Sequence, residues 1–260
     1  MMLTKASLRS HWETFWQRKH NVREVYSNGM RISRNLTLIT DLHGKKVLEV
    51  GAGTGRDGFN LVRYSAEIYQ LDYAESSLKI MKQLAAEKGI ITHLINGDAF
   101  RLPFRDNSFD TVFHQGLLEH FRTSRAEEIL KENVRVLKPG GILLVDVPQR
   151  YHIYTLMKHI LIAFNAWFAG WERGFSIREL QEEIRKQGLQ IVHSYGEWMY
   201  PSLFYRVLRE VFLKIGVKLP LYPQLFQPLT ELRRRTRERL MRYHCSFYTY
   251  ISIGVLGRKM

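Results

Sequence analysis

Apolar and polar residues follow two rhythms along this chain. Short apolar runs of strand length occur at 47–50 (VLEV), 67–72 (EIYQLD), 93–97 (HLING), 109–114 (FDTVFH) and 141–147 (GILLVDV). Between them the apolar positions recur at helical spacing over 59–64, over 74–88 up to Gly89, and over 125–137 up to Pro139, Gly140 and Gly141. Strands alternating with helices are the pattern of crossover units in a parallel sheet. The pattern therefore predicts an α/β fold with a doubly wound, mostly parallel sheet. Its ligand is expected beyond the carboxyl ends of the strands, where strand order reverses.

After the fifth strand the rhythm changes. From Ile153 to Phe168 twelve of sixteen residues are apolar or aromatic, broken by Lys158 and His159. This run is too short to span a bilayer and reads either as a helical flap packed on the domain or as a lid over an apolar pocket. Ser176 with Glu179 three residues on is a capping box that opens a helix ending before Gly188. A strand at 190–197 and a last strand at 248–256 are expected to pair as a hairpin at the sheet edge. Between these strands lies a helical insertion, about 200–243, in which Leu, Phe and Tyr alternate with arginine and which contains LRRRTRERLMR.

Composition narrows the class. A chain of 260 residues, 45% hydrophobic, buries a sizeable core as one domain over 1–260. The single cysteine, Cys245, removes disulfide scaffolds and multi-cysteine metal sites, and no metal is expected at the sheet edge. Without a signal-peptide core or an apolar stretch of spanning length, the expected location is cytoplasmic. The net charge is +14, and residues 206–242 hold ten Lys or Arg against three Glu, about half of that excess. Such a stretch is read as a solvated helix face, as a contact for anionic lipid that would leave the protein membrane-associated, or as a contact for RNA.

The chemistry centres on VLEVGAGTGRDG, 47–58. Gly51, Gly53 and Gly55 let the chain turn tightly from strand to helix and let a ligand approach the main chain. A dinucleotide fingerprint would place its third glycine one position later, where Arg56 stands. Glu49 precedes the loop. Asp72, 21 residues after Gly51, ends the second strand where a carboxylate accepts both hydroxyls of a ribose. Asp98 ends the third strand, placed to accept from a purine amine.

With FDTVFHQGLLEHF (109–121) and VLKPGGILLVDVP (136–148), these segments resemble the class I S-adenosylmethionine-dependent methyltransferases, in particular the small-molecule branch that includes the ubiquinone and menaquinone biosynthesis methyltransferases. The resemblance is strong over 47–148 and only in outline elsewhere. It implies a Rossmann-like seven-stranded fold with an N-terminal helical cap at 1–40, a cofactor-binding core at 41–150, and a lid, insertion and edge strands at 151–260. It implies that S-adenosyl-L-methionine is the cofactor. Gly51, Gly53 and Gly55 would then lie against its methionine part, with Glu49 orienting the loop and the bound amino group. Asp72 would hold the ribose, Asp98 and the Ala99 backbone would read the adenine, and Gln115 and Gly116 would offer main-chain oxygen near the ammonium. A bare loop facing a cofactor that carries no phosphate accounts for the departure at Arg56.

The acceptor is expected to be small or lipid-like and methylated on oxygen or carbon. His120 is the candidate general base, since a near-neutral pKa suits proton removal; its alternative role is to pack beneath the loop. His114 is a second candidate, and Glu119 reads as a solvent-facing carboxylate. The Asn/Asp-Pro-Pro-aromatic signature of enzymes that methylate base nitrogens is absent, and Cys245 near the last strand does not suit cytosine-C5 chemistry. A nucleic-acid substrate is thus the less favoured reading. An NAD-dependent oxidoreductase and a noncatalytic module for anionic surfaces remain the rivals, and nothing in the motifs specifies an oligomeric state.

Overall fold

The computed structural model describes residues 8–18, 30–167, 170–223 and 226–260. Phe168, at the end of the apolar run, and parts of the 1–40 cap and of the insertion lie outside the described residues. Seven strands form one sheet: β1 (Lys46–Val50), β2 (Glu67–Asp72), β3 (His93–Asn96), β4 (Phe109–Gln115), β5 (Leu137–Pro148), β6 (Leu189–Glu197) and β7 (Ser252–Lys259). Their order is β3-β2-β1-β4-β5-β7-β6. All neighbours are parallel except β7, which runs antiparallel to both β5 and β6. The chain reverses its direction of travel across the sheet between β1 and β4, and a crevice opens there at the carboxyl ends of the strands.

The helices are α1 (Arg9–Arg18), α2 (Arg31–Thr37), α3 (Arg56–Leu61), α4 (Glu75–Lys88), α5 (Thr123–Val136), α6 (Ile153–Ala163), α7 (Ile177–Lys186), α8 (Leu203–Lys214) and α9 (Gln227–Leu240). The central strands bury both faces: Leu48, Val50, Val112, Leu143 and Val145 belong to one core cluster, and Val47, Phe113, Ile142 and Leu144 to another. This is why 47–50 and 141–147 read as continuous apolar runs. α4 ends where Gly89 adopts φ +62°, so its N–H returns to the last turn.

Two boundaries differ from the sequence reading. Pro139, Gly140 and Gly141 do not end a helix; α5 stops at Val136, and the triplet forms an irregularity at the start of β5, between the Phe109–Leu137 and Thr111–Ile142 pairs. The last strand begins at Ser252 instead of Tyr248. Residues 244–248 close a 3₁₀ turn in which the Ser246 N–H donates to Tyr243 O, and pairing with β6 begins when the Ile251 N–H donates to Glu197 O. The period-2 alternation of YTYISI is therefore half turn and half strand. β7 also lies inside the sheet, leaving β6 as the edge.

The capping box at α7 forms as its spacing requires: the Glu179 N–H donates to Ser176 Oγ, and the Ser176 N–H to the Glu179 carboxylate. Ser176→Ala should lower stability by about 0.5–2 kcal/mol, measured by urea denaturation; an unchanged midpoint would mean that Glu179 alone caps the helix.

Candidate active site

A cavity of about 550 Å³ opens at the carboxyl ends of β1, β2 and β4 and beside the turn that follows β3. Nine of the eleven cofactor-site and base candidates singled out from sequence line it: Glu49, Gly51, Gly53, Asp72, Asp98, Ala99, Gln115, Gly116 and His120. Gly55 does not. It caps α3 at φ +69°, and a Cβ there would lie 2.6 Å from Gln70 Nε2 and 2.9 Å from Met81. Gly58 is equally confined, its Cβ position being 2.7 Å from Glu49 Oε2. The close helix-to-strand packing that a dinucleotide loop assigns to its third glycine thus falls here on Gly55 and Gly58. Gly53 faces the other way, at φ +57°, with its Cβ position 2.9 Å from the Trp16 ring.

Backbone donors fix the loop. The Gly53 and Ala74 N–H groups each donate to Asp72 at 2.9 Å, and Ser77 Oγ donates to Gly53 O at 2.5 Å. Glu49 Oε2 accepts from the Gly58 N–H at 3.1 Å and from Gln70 Nε2 at 2.6 Å. Asp98 is more exposed and accepts from the Phe100 N–H at 3.0 Å.

The sequence reading missed Asp57, which lines the same cavity in the first turn of α3. An acidic residue at a helix start is ordinary dipole chemistry, so its position in the chain did not distinguish it. The Gln115 amide, oriented to satisfy both ends, donates to Asp57 at 2.7 Å and accepts from Arg31 at 3.0 Å. Arg31 in turn donates to Asp146 Oδ1 at 2.8 Å, and Tyr195 OH donates to Asp146 Oδ2 at 2.7 Å. Trp12 and Trp16, one turn apart on α1, form another wall.

The electrostatics of this floor test which ligand fits. Glu49, Asp57 and Asp72 are all buried or nearly so, and burial pushes each carboxyl up, Glu49 further through its proximity to Asp57. Arg31 and Arg56 are set against Asp57; burial works against the Arg31 charge, but Asp146, Tyr195 and Asp57 outweigh that and keep it protonated. Crowded, buried carboxyls of this kind regain their charged form beside a ligand that brings positive charge, and they disfavour a pyrophosphate. S-adenosylmethionine, with an ammonium and a sulfonium, meets that requirement. Among the described residues no three His, Cys, Asp or Glu side chains converge as a metal-ligand set.

His120 follows β4 by one turn, as its spacing indicated, and its ring packs edge-on to Trp12 at 4.8 Å. Burial pushes it down to about 4, so it is neutral at physiological pH. Its Nδ1 lies 3.7 Å from Glu172, which is paired with Lys158 and accepts from Trp167 Nε1 at 2.7 Å. His114 is enclosed at 0% exposure with neither ring nitrogen partnered, pushed down to about 3 by burial, and it does not line the cavity. Glu119 is not solvent-facing: it is 4% exposed, because the 3₁₀ turn 118–120 points it inward.

Burial, reinforced by Glu172, pushes the Glu119 carboxyl up to about 8 from an ordinary 4.5. The folded state then holds a proton that the unfolded state has released, so stability falls as pH rises through that interval. His114 and His120 act in the opposite sense, but only up to their unfolded value of 6.5. The melting temperature should therefore decline from about pH 6.5 to about pH 8; Glu49, pushed up likewise to about 8, adds to the same slope, so Glu119→Gln should reduce it without abolishing it, and a rising or flat profile in the parent protein would refute the assignment.

Comparison with known proteins places this geometry. The family described as "Methyltransferase domain" matches residues 48–145. The ubiquinone/menaquinone biosynthesis C-methyltransferase UbiE of Bartonella quintana is 33% identical over 156 residues, covering 54% of this chain and 57% of that protein. The demethylmenaquinone methyltransferase of Staphylococcus haemolyticus is 34% identical over 145 residues, covering 51% and 59%. The chain spans about half the length of the curated relatives it matches. Among solved structures, the magnesium protoporphyrin IX methyltransferase of Synechocystis PCC 6803 with bound S-adenosylhomocysteine superposes with a TM-score of 0.58 at 14% identity, over 98% of this chain and 85% of that one, a likeness of fold. Residues 48–145 thus match a methyltransferase domain, and about half of the chain is similar to the ubiquinone/menaquinone biosynthesis C-methyltransferases.

Proposed function

We propose that this protein transfers the methyl group of S-adenosylmethionine to a carbon or oxygen of a small, apolar acceptor, with C-methylation of a quinone-type ring as the preferred case. The observation that carries the reading is the cavity floor, where glycine backbone and three carboxylates, Glu49, Asp57 and Asp72, face one space. The UbiE relatives, named for ubiquinone and menaquinone C-methylation, support the acceptor class. So does the aromatic and aliphatic wall of Trp12, Trp16, Leu117 and Phe121.

In this reading Asp72 accepts the ribose hydroxyls, Asp98 and the Ala99 backbone receive the adenine, and Gly51 and Gly53 pass close to the methionine chain. Glu49, Asp57 and the Gln115–Gly116 backbone surround its ammonium. The bound cofactor supplies an electrophilic methyl on a sulfonium. The protein's main task is alignment, and holding acceptor and donor in line is worth roughly 7–11 kcal/mol when fully exploited. His120, at the cavity wall, takes the proton that the acceptor sheds, as a weaker base than the near-neutral imidazole expected from sequence because burial pushes it down to about 4; a positioned base adds at most about 10² to 10⁴-fold.

Titration calorimetry should show binding of S-adenosylmethionine and S-adenosylhomocysteine and none of NAD. Heat from NAD alone would overturn the assignment. Asp72→Ala should weaken cofactor binding by about 1–3 kcal/mol, and affinity equal to the parent's would show that another group holds the ribose. His120→Gln should lower kcat by about 10²-fold with cofactor affinity near that of the parent; equal loss of both would assign His120 to packing.

A further inference from the structure

Two helices of the C-terminal half are built inside out. On α6, Ile153, Leu156, Met157, Ile160, Leu161 and the capping residue Phe164 recur at three- and four-residue spacing and so share one face. All six are exposed, from 42% for Leu161 to 74% for Phe164. The face turned inward carries Thr155, Ile162 and a lysine: Lys158 is 4% exposed and paired with Glu172, itself 6% exposed. A surface helix ordinarily turns its apolar stripe to the core and its lysines to water. α8 repeats the inversion, with Phe204, Val207 and Val211 exposed and Arg209 buried, its Nε donating to Leu219 O at 3.2 Å. In both helices a cation is held in the interior while the apolar stripe faces out. Contiguous apolar surface of this kind marks a contact with something else.

The charge identifies what. Residues 206–242 carry ten Lys or Arg against three Glu in a chain of net charge +14. On α9, Arg234 and Arg235 are engaged by Glu231 and Glu238, Arg237 by Glu197, and Arg233 lies over the Tyr200 ring at 3.7 Å. Lys214 at the end of α8 and Arg239 and Arg242 around the end of α9 are exposed, with no side-chain partner among the described residues. A second copy of so cationic a chain would be repelled from this surface. An anionic lipid headgroup layer over an acyl interior offers both complements at once. No helix among the described residues is long and apolar enough to cross a membrane, so the contact lies in the interface plane.

We propose that the outward faces of α6 and α8, together with Lys214, Arg239 and Arg242, seat this protein on the surface of an anionic lipid bilayer. The docking does not depend on the methyl-transfer reading. It does place the lipid-facing helix one ion pair from the cavity, because Lys158 of α6 meets the Glu172 that faces His120.

The test is co-sedimentation of the full chain with vesicles of phosphatidylcholine alone and with vesicles containing phosphatidylglycerol, at low and high ionic strength. The parent should sediment with the anionic vesicles only, and high salt should reduce the bound fraction about tenfold. Leu156→Glu with Ile160→Glu, and separately Phe204→Glu with Val211→Glu, should each reduce binding by about tenfold or more, as should Lys214→Glu with Arg239→Glu and Arg242→Glu. All seven positions are exposed, and unchanged melting temperatures and S-adenosylhomocysteine heats would show that the variants remain folded. Absence of vesicle binding would overturn the proposal. So would anionic-vesicle binding that the α6 and α8 variants leave intact, which would reduce the contact to charge alone. A concentration-dependent dimer abolished by Leu156→Glu with Ile160→Glu, or salt-sensitive binding to an RNA oligonucleotide without vesicle binding, would assign the surface to those partners instead.

Discussion

The ion pair between Arg31 and Asp146, with side chains 4% and 1% exposed, is the constraint around which the site is arranged. Two charges removed from water are maintained only when geometry and further hydrogen bonds compensate. Here Tyr195 from β6 completes Asp146, and Gln115 at the end of β4 joins Arg31 to Asp57. The pair therefore ties α2 to the end of β5, the sheet edge to its centre, and all of them to the cavity floor. Were Asp146 absent, the buried guanidinium would lose its ion pair and keep, of the carboxylates, only the influence of Asp57 and Glu197, and a buried charge left so poorly compensated is costly.

The sheet was legible because both of its periodicities are local. Fully buried strands must be apolar at every position, and crossover helices must be apolar at every third or fourth, so 47–50, 109–114 and 141–147 declare themselves without knowledge of their neighbours. The misplaced start of the last strand has the same origin. Tyr250 is 2% exposed and therefore looks like a strand residue, yet it is buried by a turn that delivers it against Gly196. Burial is what the sequence encodes, and extended backbone is only one way of achieving it.

At the site, legibility followed chemistry that acts at fixed spacing. Glu49, Asp72, Asp98 and Gln115 sit at or just beyond strand ends, and strand ends are readable, so nine of the eleven cofactor-site and base candidates line one cavity. Arg31 and Asp146 were not legible as a pair because each acquires its role from a partner far along the chain: 115 residues separate them. Glu119 shows the reverse failure. A carboxylate in a short turn reads as solvated, and only the direction of the 3₁₀ turn encloses it.

The insertion of β7 between β5 and β6 divides the molecule along a line that the chain crosses only once near the cavity floor. Every strand end that faces the cavity lies before Pro148, and the inside-out helices α6 and α8 lie after it. The matched domain also stops at 145. The first half thus carries the cavity and the second the exposed apolar faces, and Asp146, paired with Arg31 and bonded by Tyr195 from beyond Pro148, is the seam through which a change in one half is felt in the other.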